Sequence, residues 1–236
     1  MQLKEKVAII TGGGRGIGRA LALGFAAEGA KLVIAARTEA QLNAVAEEIR
    51  ARNGEVIVVV CDVSDEAQVK AMVKQTVDSF GGVDILINNA GVGGFRPAYA
   101  TNASSWDKMM NVNAKSTFLC TKHVWRSMRK RGGGSIINIA SLAGTRAYPM
   151  YAAYSASKWG QIGFTKATAE EGKPVNIRIN AIAPGKVDNE MRAAIAEDKD
   201  KMLKNEDLVG AALFFAGDAA RYVTGQVLEV EWFGKE

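Results

Sequence analysis

Short apolar runs punctuate the chain at regular intervals: KVAIIT (6–11), KLVIAA (31–36), EVIVVV (55–60), VDILIN (83–88), SIINIA (135–140), NIRINAIA (176–183) and a weaker QVLEV (226–230). The first six hardly alternate with polar positions, and a short continuous run of this kind reads as a strand buried on both faces. Between them the period changes to that of a helix. Leu42, Val45, Ala46 and Ile49 fall at i, i+3, i+4 and i+7, and Val69, Met72, Val73, Thr76, Val77 and Phe80 continue the pattern on a longer segment. Strands that alternate with helix-length crossovers are joined right-handedly, run parallel and are covered on both faces. The pattern therefore predicts an α/β fold, a doubly wound, Rossmann-type parallel sheet of about seven strands. No linker, repeat or low-complexity tract interrupts the series, so residues 1–236 read as one domain.

Composition narrows the picture. A chain of 236 residues that is 48% hydrophobic and 23% charged is neither disordered nor fibrous. Its length supports a sizeable core without a disulfide or metal staple. Thirty Lys and Arg against twenty-five Asp and Glu leave a net charge of +5. An excess this mild favours a polyanionic partner only where it is clustered. Cys61 and Cys120 lie far apart inside apolar runs, which fits a reducing cytoplasm better than a secreted disulfide framework. No apolar run approaches the ~20 residues of a membrane span, and the N-terminal residues lack a signal-peptide profile. The expectation is a soluble cytoplasmic protein without a membrane partner.

Directly after the first run comes TGGGRGIG, followed by an Ala-rich helical segment. Gly12, Gly16 and Gly18 stand in GxxxGxG spacing rather than GxGxxG, yet the physical service is the same. The turn closes, and backbone N–H groups and a helix N-terminus approach a pyrophosphate. Arg15 and Ile17 belong to this loop, which predicts a bound dinucleotide. An NAD-specific site would place Asp or Glu at the end of the second strand, where this chain has Ala35, Ala36 and Arg37. Arg37, with Arg15, suits a 2′-phosphate, which points to NADP(H) in preference to NAD(H). The alternative is that Arg37 is a solvated loop residue.

Among five tyrosines only Tyr154 has a lysine four residues on, Lys158, and the helical reading of this segment puts both on one face. A phenol with an ordinary pKa near ~10 serves as acid and base at neutral pH only if a cation stabilises its phenolate. Lys158 supplies that field. Ser141, at the C-terminal end of a buried run where α/β ligands bind, offers a hydroxyl that can polarise a carbonyl.

With these motifs in place, the chain resembles the short-chain dehydrogenase/reductase family, and within it the 3-oxoacyl-(acyl carrier protein) reductases most. The resemblance rests on TGGGRGIG, CDVS, NNAG, NVNAKSTF, IASLAG, YSASK, NAIAPG and YVTGQ in family order, and covers nearly the whole chain. It implies that Tyr154 is the general acid and base, that Lys158 holds the ribose hydroxyls and lowers the tyrosine pKa, that Ser141 orients the carbonyl, and that Asn113 anchors a water in the proton relay. It also implies cofactor contacts by Asp62 and Val63 beside the adenine, by Asn89, Ala90 and Gly91 on the ribose and nicotinamide side, and by Pro184, Gly185 and Val187 at the carboxamide. An NADP(H)-dependent carbonyl reductase or alcohol dehydrogenase follows, assembled as a homotetramer through segments carrying Phe118, Trp125 and Phe164. Three departures stand out: Asn189 where a Thr is common after Pro-Gly, a short lid near 186–205, and the tail EVEWFGKE with Trp232 and Phe233.

Other chemistries find little support. His123 lies in a helical segment without a GxSxG elbow, which argues against a Ser-His-Asp hydrolase. One histidine and two separated cysteines make no zinc site. The basic residues Arg126, Arg129, Lys130 and Arg131 end a helix, where they complement its dipole. They bring no expectation of nucleic-acid binding, and the sharper reading makes Arg129 and Arg131, with Lys173, a dock for an acyl carrier protein near the active-site mouth. A non-catalytic nucleotide sensor is argued against by the complete Asn113, Ser141, Tyr154, Lys158 set, and sugar-nucleotide epimerisation by the length. Residues 92–99 and 143–151 and the segment after Gly185 are the expected substrate walls.

Overall fold

The structure is a computed structural model that describes residues 1–190 and 198–234. Seven strands form one parallel sheet: β1 (Val7–Thr11), β2 (Lys31–Ala36), β3 (Val56–Val60), β4 (Ile85–Asn88), β5 (Gly134–Ile139), β6 (Ile177–Pro184) and β7 (Val227–Val230). Their order is β3-β2-β1-β4-β5-β6-β7. The doubly wound expectation is correct, down to the weak seventh strand.

Seven α-helices accompany the sheet among the described residues: α1 (Gly16–Ala27), α2 (Glu39–Arg50), α3 (Glu66–Phe80), α4 (Ala103–Met109), α5 (Ser116–Lys130), α6 (Ala152–Gly172) and α7 (Val209–Ala216). Successive strand side chains point to opposite faces, so an apolar run that is continuous in sequence feeds two cores. Ala8 and Ile10 of β1, with Leu32 and Ile34 of β2, meet Leu21, Phe25, Leu42, Ile49 and Phe215 on one face. Ile9, Val33 and Leu86 meet Val69, Met72, Leu119 and Val124 on the other. All four positions of the helical period in α2 are buried, as are Val69, Met72, Val73 and Thr76 in α3. Asp65 caps α3 by accepting from the Ala67 and Gln68 amides, which fixes where that helix begins.

Strand order reverses between β1 and β4, and in a doubly wound sheet the ligand crevice lies beyond the carboxyl ends of the strands at that point. The opposite edge is closed by charge. Asp84, just before β4, accepts the Val7 amide at 2.8 Å and a two-pronged bond from Arg131 at 2.7 and 3.0 Å. This corrects the expected carrier dock. Arg129 and Arg131 precede β5 while Ser141 follows it, so six residues of extended strand, roughly 20 Å, separate them. Lys173 precedes β6 at the same edge and pairs with Glu170. The three charges lie across the sheet from the crevice of their own chain.

Between α4 and α5 the chain takes a π-helical turn, Met110–Lys115, that carries Asn113. Such a turn adds a residue to the helical repeat and re-aims its side chains. The apolar anchors expected at a subunit interface divide. Phe118 is 44% exposed and meets Phe164 edge-on at 6.3 Å. Trp125 packs against the core of its own chain.

Candidate active site

A cavity of about 1040 Å³ opens at the switch point. Its walls contain every residue expected to touch the cofactor: Gly12, Arg15, Gly16, Ile17, Gly18, Arg37, Asp62, Val63, Asn89, Ala90, Gly91, Tyr154, Lys158, Pro184, Gly185 and Val187. Ser141 is a wall residue too, whereas Asn113 is fully buried behind the wall.

The floor is the loop between β1 and α1. Gly12 has φ +67°, and a Cβ there would press on Asn89 Nδ2. A Cβ on Gly18 would collide with the Gly12 carbonyl oxygen. Only glycine lets the turn and the first helical residues approach this closely. Asn89 holds the loop from the end of β4. Its Nδ2 donates to Thr11 O at 2.9 Å and Gly12 O at 3.2 Å, while the Asn89 and Ala90 amides donate to Thr11 Oγ1 at 3.0 and 3.1 Å. The Asn89 amide is thus committed to the loop carbonyls. Arg15, the N-cap residue of α1, makes no side-chain capping bond, and the orphan N–H groups and dipole of the helix face the cavity end of the loop. An uncapped helix start over a glycine floor fits a pyrophosphate.

No carboxylate ends β2. Arg37 is exposed and makes no ion pair among the described residues, whereas Arg15 lies 3.5 Å from Glu190. Asp62 accepts from the Ser64 amide and hydroxyl at 2.9 and 2.7 Å. Those bonds, with the charge of Arg37, hold its carboxyl below the usual range.

The chemistry-bearing side chains come from β5 and α6. Ser141 caps the short turn Leu142–Gly144, its Oγ accepting the Ala143 amide at 3.1 Å, which leaves the hydroxyl proton to donate elsewhere. Tyr154 and Lys158 lie one turn apart on α6, with Lys158 Nζ 5.9 Å from the Tyr154 ring centre. Lys158 is 4% exposed and burial lowers its pKa to about 7. Its Nζ donates to the Ile139 carbonyl at 2.7 Å and to Gln161 Oε1 at 3.0 Å. A lysine ammonium has three donors, so one remains for the cavity that Lys158 also lines.

Asn113 serves a scaffold. Its Oδ1 accepts the Val92 amide at 2.8 Å, and its Nδ2 donates to Val92 O and Ser157 Oγ, both at 2.9 Å. Ser157 Oγ in turn donates to Tyr154 O at 2.7 Å. The side chain therefore ties the loop after β4 to the first turn of α6. The Asn113 carbonyl accepts the Thr117 hydroxyl at 2.9 Å.

All three expected substrate segments contribute walls. Phe95 meets Tyr151 at 5.3 Å between ring centres, and Tyr151 meets Tyr148 and Tyr154 at 6.2 and 6.0 Å. The Arg96 amide donates to Met150 O at 2.8 Å and ties two of the segments. Asn189 is on the wall as well. Of the lid, Lys186–Asp188 pairs with Leu203 through two backbone bonds of 2.9 Å, and residues 191–197 lie outside the described residues. Trp232 and Glu231 line the cavity, while Phe233 is 94% exposed. Beside the main cavity a smaller one of about 220 Å³ shares Val92, Gly93, Gly94 and Met150 with it and presents Arg96, Lys108, Thr101 and Ser105.

Sequence reasoning missed Gln161 and Thr117. The available signal was a polar stripe, Ser157, Lys158, Gln161, Thr165 and Thr168, on the buried side of α6. His123 lies 3.1 Å from Glu66 on the surface, away from the cavity walls, and the described residues hold no cluster able to ligate a metal.

Residues 6–200 match the family model for the short chain dehydrogenases. The 3-oxoacyl-(acyl-carrier-protein) reductase FabG of Staphylococcus epidermidis is 36% identical over 237 residues, covering 96% of this chain and 97% of that protein. The 3-oxoacyl-(acyl-carrier-protein) reductase of Synechocystis sp. is 38% identical over 238 residues, covering 97% of this chain and 96% of its own. Among solved structures, a 7α-hydroxysteroid dehydrogenase complexed with NADH and 7-oxo glycochenodeoxycholic acid is similar at a TM-score of 0.95 and 31% identity, over 99% of this chain and 95% of that one. Levodione reductase is similar at a TM-score of 0.92 and 34% identity, over 97% of each.

Proposed function

Because this chain belongs to the short-chain dehydrogenase/reductase family, whose members use a nicotinamide cofactor, we propose that it is an NADP(H)-dependent reductase of carbonyl compounds, with 3-oxoacyl thioesters as the leading substrate class. The observation that carries the reading is the buried Lys158 beneath the Tyr154 ring, facing a cavity that Ser141 also lines. Bound over the glycine floor, the cofactor supplies the hydride that a carbonyl carbon receives.

The chain's own residues do the rest. Ser141 Oγ–H donates to the substrate oxygen. Tyr154 gives its phenolic proton to the same oxygen as negative charge develops there, and the charge of Lys158 stabilises the phenolate left behind. The uncapped start of α1 holds the pyrophosphate, and the third N–H of Lys158 is available to the ribose. Asp62, Val63, Ala90, Pro184, Gly185 and Val187 complete the walls on the cofactor side.

Cofactor preference rests on Arg37, which is exposed on the cavity wall and stands where an NAD-specific site needs an acid. The 3-oxoacyl reading rests on the relatives and on the side cavity, where Arg96 and Lys108 suit the phosphate of a pantetheine arm. We read the whole chain as one cofactor-binding domain with a short lid. The Phe118–Phe164 face supports assembly into a homotetramer, and two buried free cysteines agree with a reducing cytoplasm. Following NADPH oxidation with 3-oxoacyl thioesters, quinones, sugars and steroids tests the proposal. Turnover greatest with the thioesters supports it, and turnover confined to sugars or steroids overturns the substrate class.

A further inference from the structure

Lys158 is held on its protein side by a polar chain that runs through α6 and α5. Gln161 Oε1 accepts from Lys158 Nζ at 3.0 Å, Gln161 Nε2 donates to Thr117 Oγ1 at 2.9 Å, and Thr117 Oγ1 donates to the Asn113 carbonyl at 2.9 Å. Gln161 is 1% exposed and Thr117 also 1%. A hydroxyl has one proton, and a carbonyl can only accept, so the Thr117 proton goes to Asn113 and its lone pair must take the Gln161 NH₂ group. Donor counting thereby fixes which way round the amide stands, with its oxygen toward the lysine.

We propose that Gln161 is a positioning residue for Lys158: its amide oxygen, oriented by Thr117, holds the charged form of the lysine and aims the remaining N–H into the cavity. The inference rests on the reductase reading above. Burial by itself disfavours the ammonium, and it is the sole cause that lowers the pKa of Lys158. The groups facing Nζ are the Ile139 carbonyl from β5, the Gln161 amide and the Tyr154 ring from α6, and Gly91 after β4. Tyr154 is the titratable one. No charged side chain of the described residues shifts Lys158, so two neutral acceptors counter the desolvation, and Gln161 is the one a substitution can remove.

The test is the pH dependence of kcat/KM for a small ketone at saturating NADPH, in wild type, Gln161→Leu and Gln161→Glu. Reduction needs the ammonium, so activity falls as pH rises through its titration. Gln161→Leu deletes a hydrogen bond to a charged group and moves this alkaline limb down by about one pH unit. Gln161→Glu puts a carboxylate beside the ammonium and moves the limb up. NADPH affinity at about pH 5, where the lysine is protonated in wild type and in both variants, stays within about threefold of wild type, because the Ile139 carbonyl still holds Nζ. Thr117→Val frees the amide without touching Lys158, and it gives a smaller downward shift that decides the matter should Gln161→Leu not fold. Unmoved limbs, or shifts of the same sign in the Leu and Glu variants, overturn the role of Gln161. Those results would leave the reductase reading standing, because that reading fails on Tyr154.

Discussion

Asn113 and Val92 exchange two hydrogen bonds, side-chain oxygen to amide at 2.8 Å and side-chain amide to carbonyl at 2.9 Å, as a strand partner would. This pairing sets the loop after β4 against α6, and so fixes one wall of the cavity relative to Tyr154. Asn113→Ala leaves the Val92 groups and the Ser157 hydroxyl without their partner. We expect a loss of about 2–3 kcal/mol in denaturant-induced unfolding, together with a raised KM for substrate. A change below about 0.5 kcal/mol would remove the clamp from the account.

Arg37→Ala tests cofactor choice. Loss of a charge-assisted, forked contact to a 2′-phosphate weakens NADPH by about 10- to 100-fold and leaves NADH nearly unchanged. Arg15→Ala has a smaller effect, since that guanidinium already lies near Glu190. Fluorescence titration with both cofactors measures this, and equal losses for NADPH and NADH would exclude Arg37 from the site.

Much of this arrangement was legible in the sequence because its parts are local. The glycine spacing, Tyr154 with Lys158 at i and i+4, and Ser141 at the end of an apolar run each carry their geometry within a few residues. What stayed hidden depends on distant pairs. The Asp84–Arg131 pair spans 47 positions and reverses the expected location of the basic patch. The contacts of Asn113 depend on the π-helical turn, for which the run MNVNAK gives no periodic signal. Gln161 reads as an ordinary polar helix position until Thr117, 44 residues away, is seen beside it.

Cys61 lies in the cavity wall, and burial with neighbouring Asp62 and Asp65 pushes its thiol up to about 11. Cys120 is fully buried and shifted upward as well. Fewer than about one Cys61 in a thousand is then thiolate near neutral pH, so iodoacetamide should leave the native protein unlabelled and active. Peptide mass spectrometry after a timed exposure checks this. Rapid labelling of Cys61 in the folded protein would contradict the burial assigned to it.

The side cavity makes a prediction about charge. Reversing Arg96 and Lys108 to Glu should raise KM for a coenzyme A or carrier-bound thioester by about tenfold, and leave a small neutral ketone unaffected. Raising salt should shrink the difference, since the Debye length is only about 10 Å at 0.1 M. Reversal at Arg129 and Arg131 should do little within one chain, because those residues lie at the far edge of the sheet. Steady-state kinetics on both substrate types decides between the two patches.

The central claim is that Tyr154 is the proton donor to a carbonyl while the cofactor is held by other groups. Its most direct test is the Tyr154→Phe variant, assayed for NADPH binding by fluorescence and for reduction with any substrate that wild type turns over. The account predicts NADPH affinity within about threefold of wild type and turnover lower by roughly 10²- to 10⁴-fold. Turnover within about threefold of wild type, with binding intact, would contradict it.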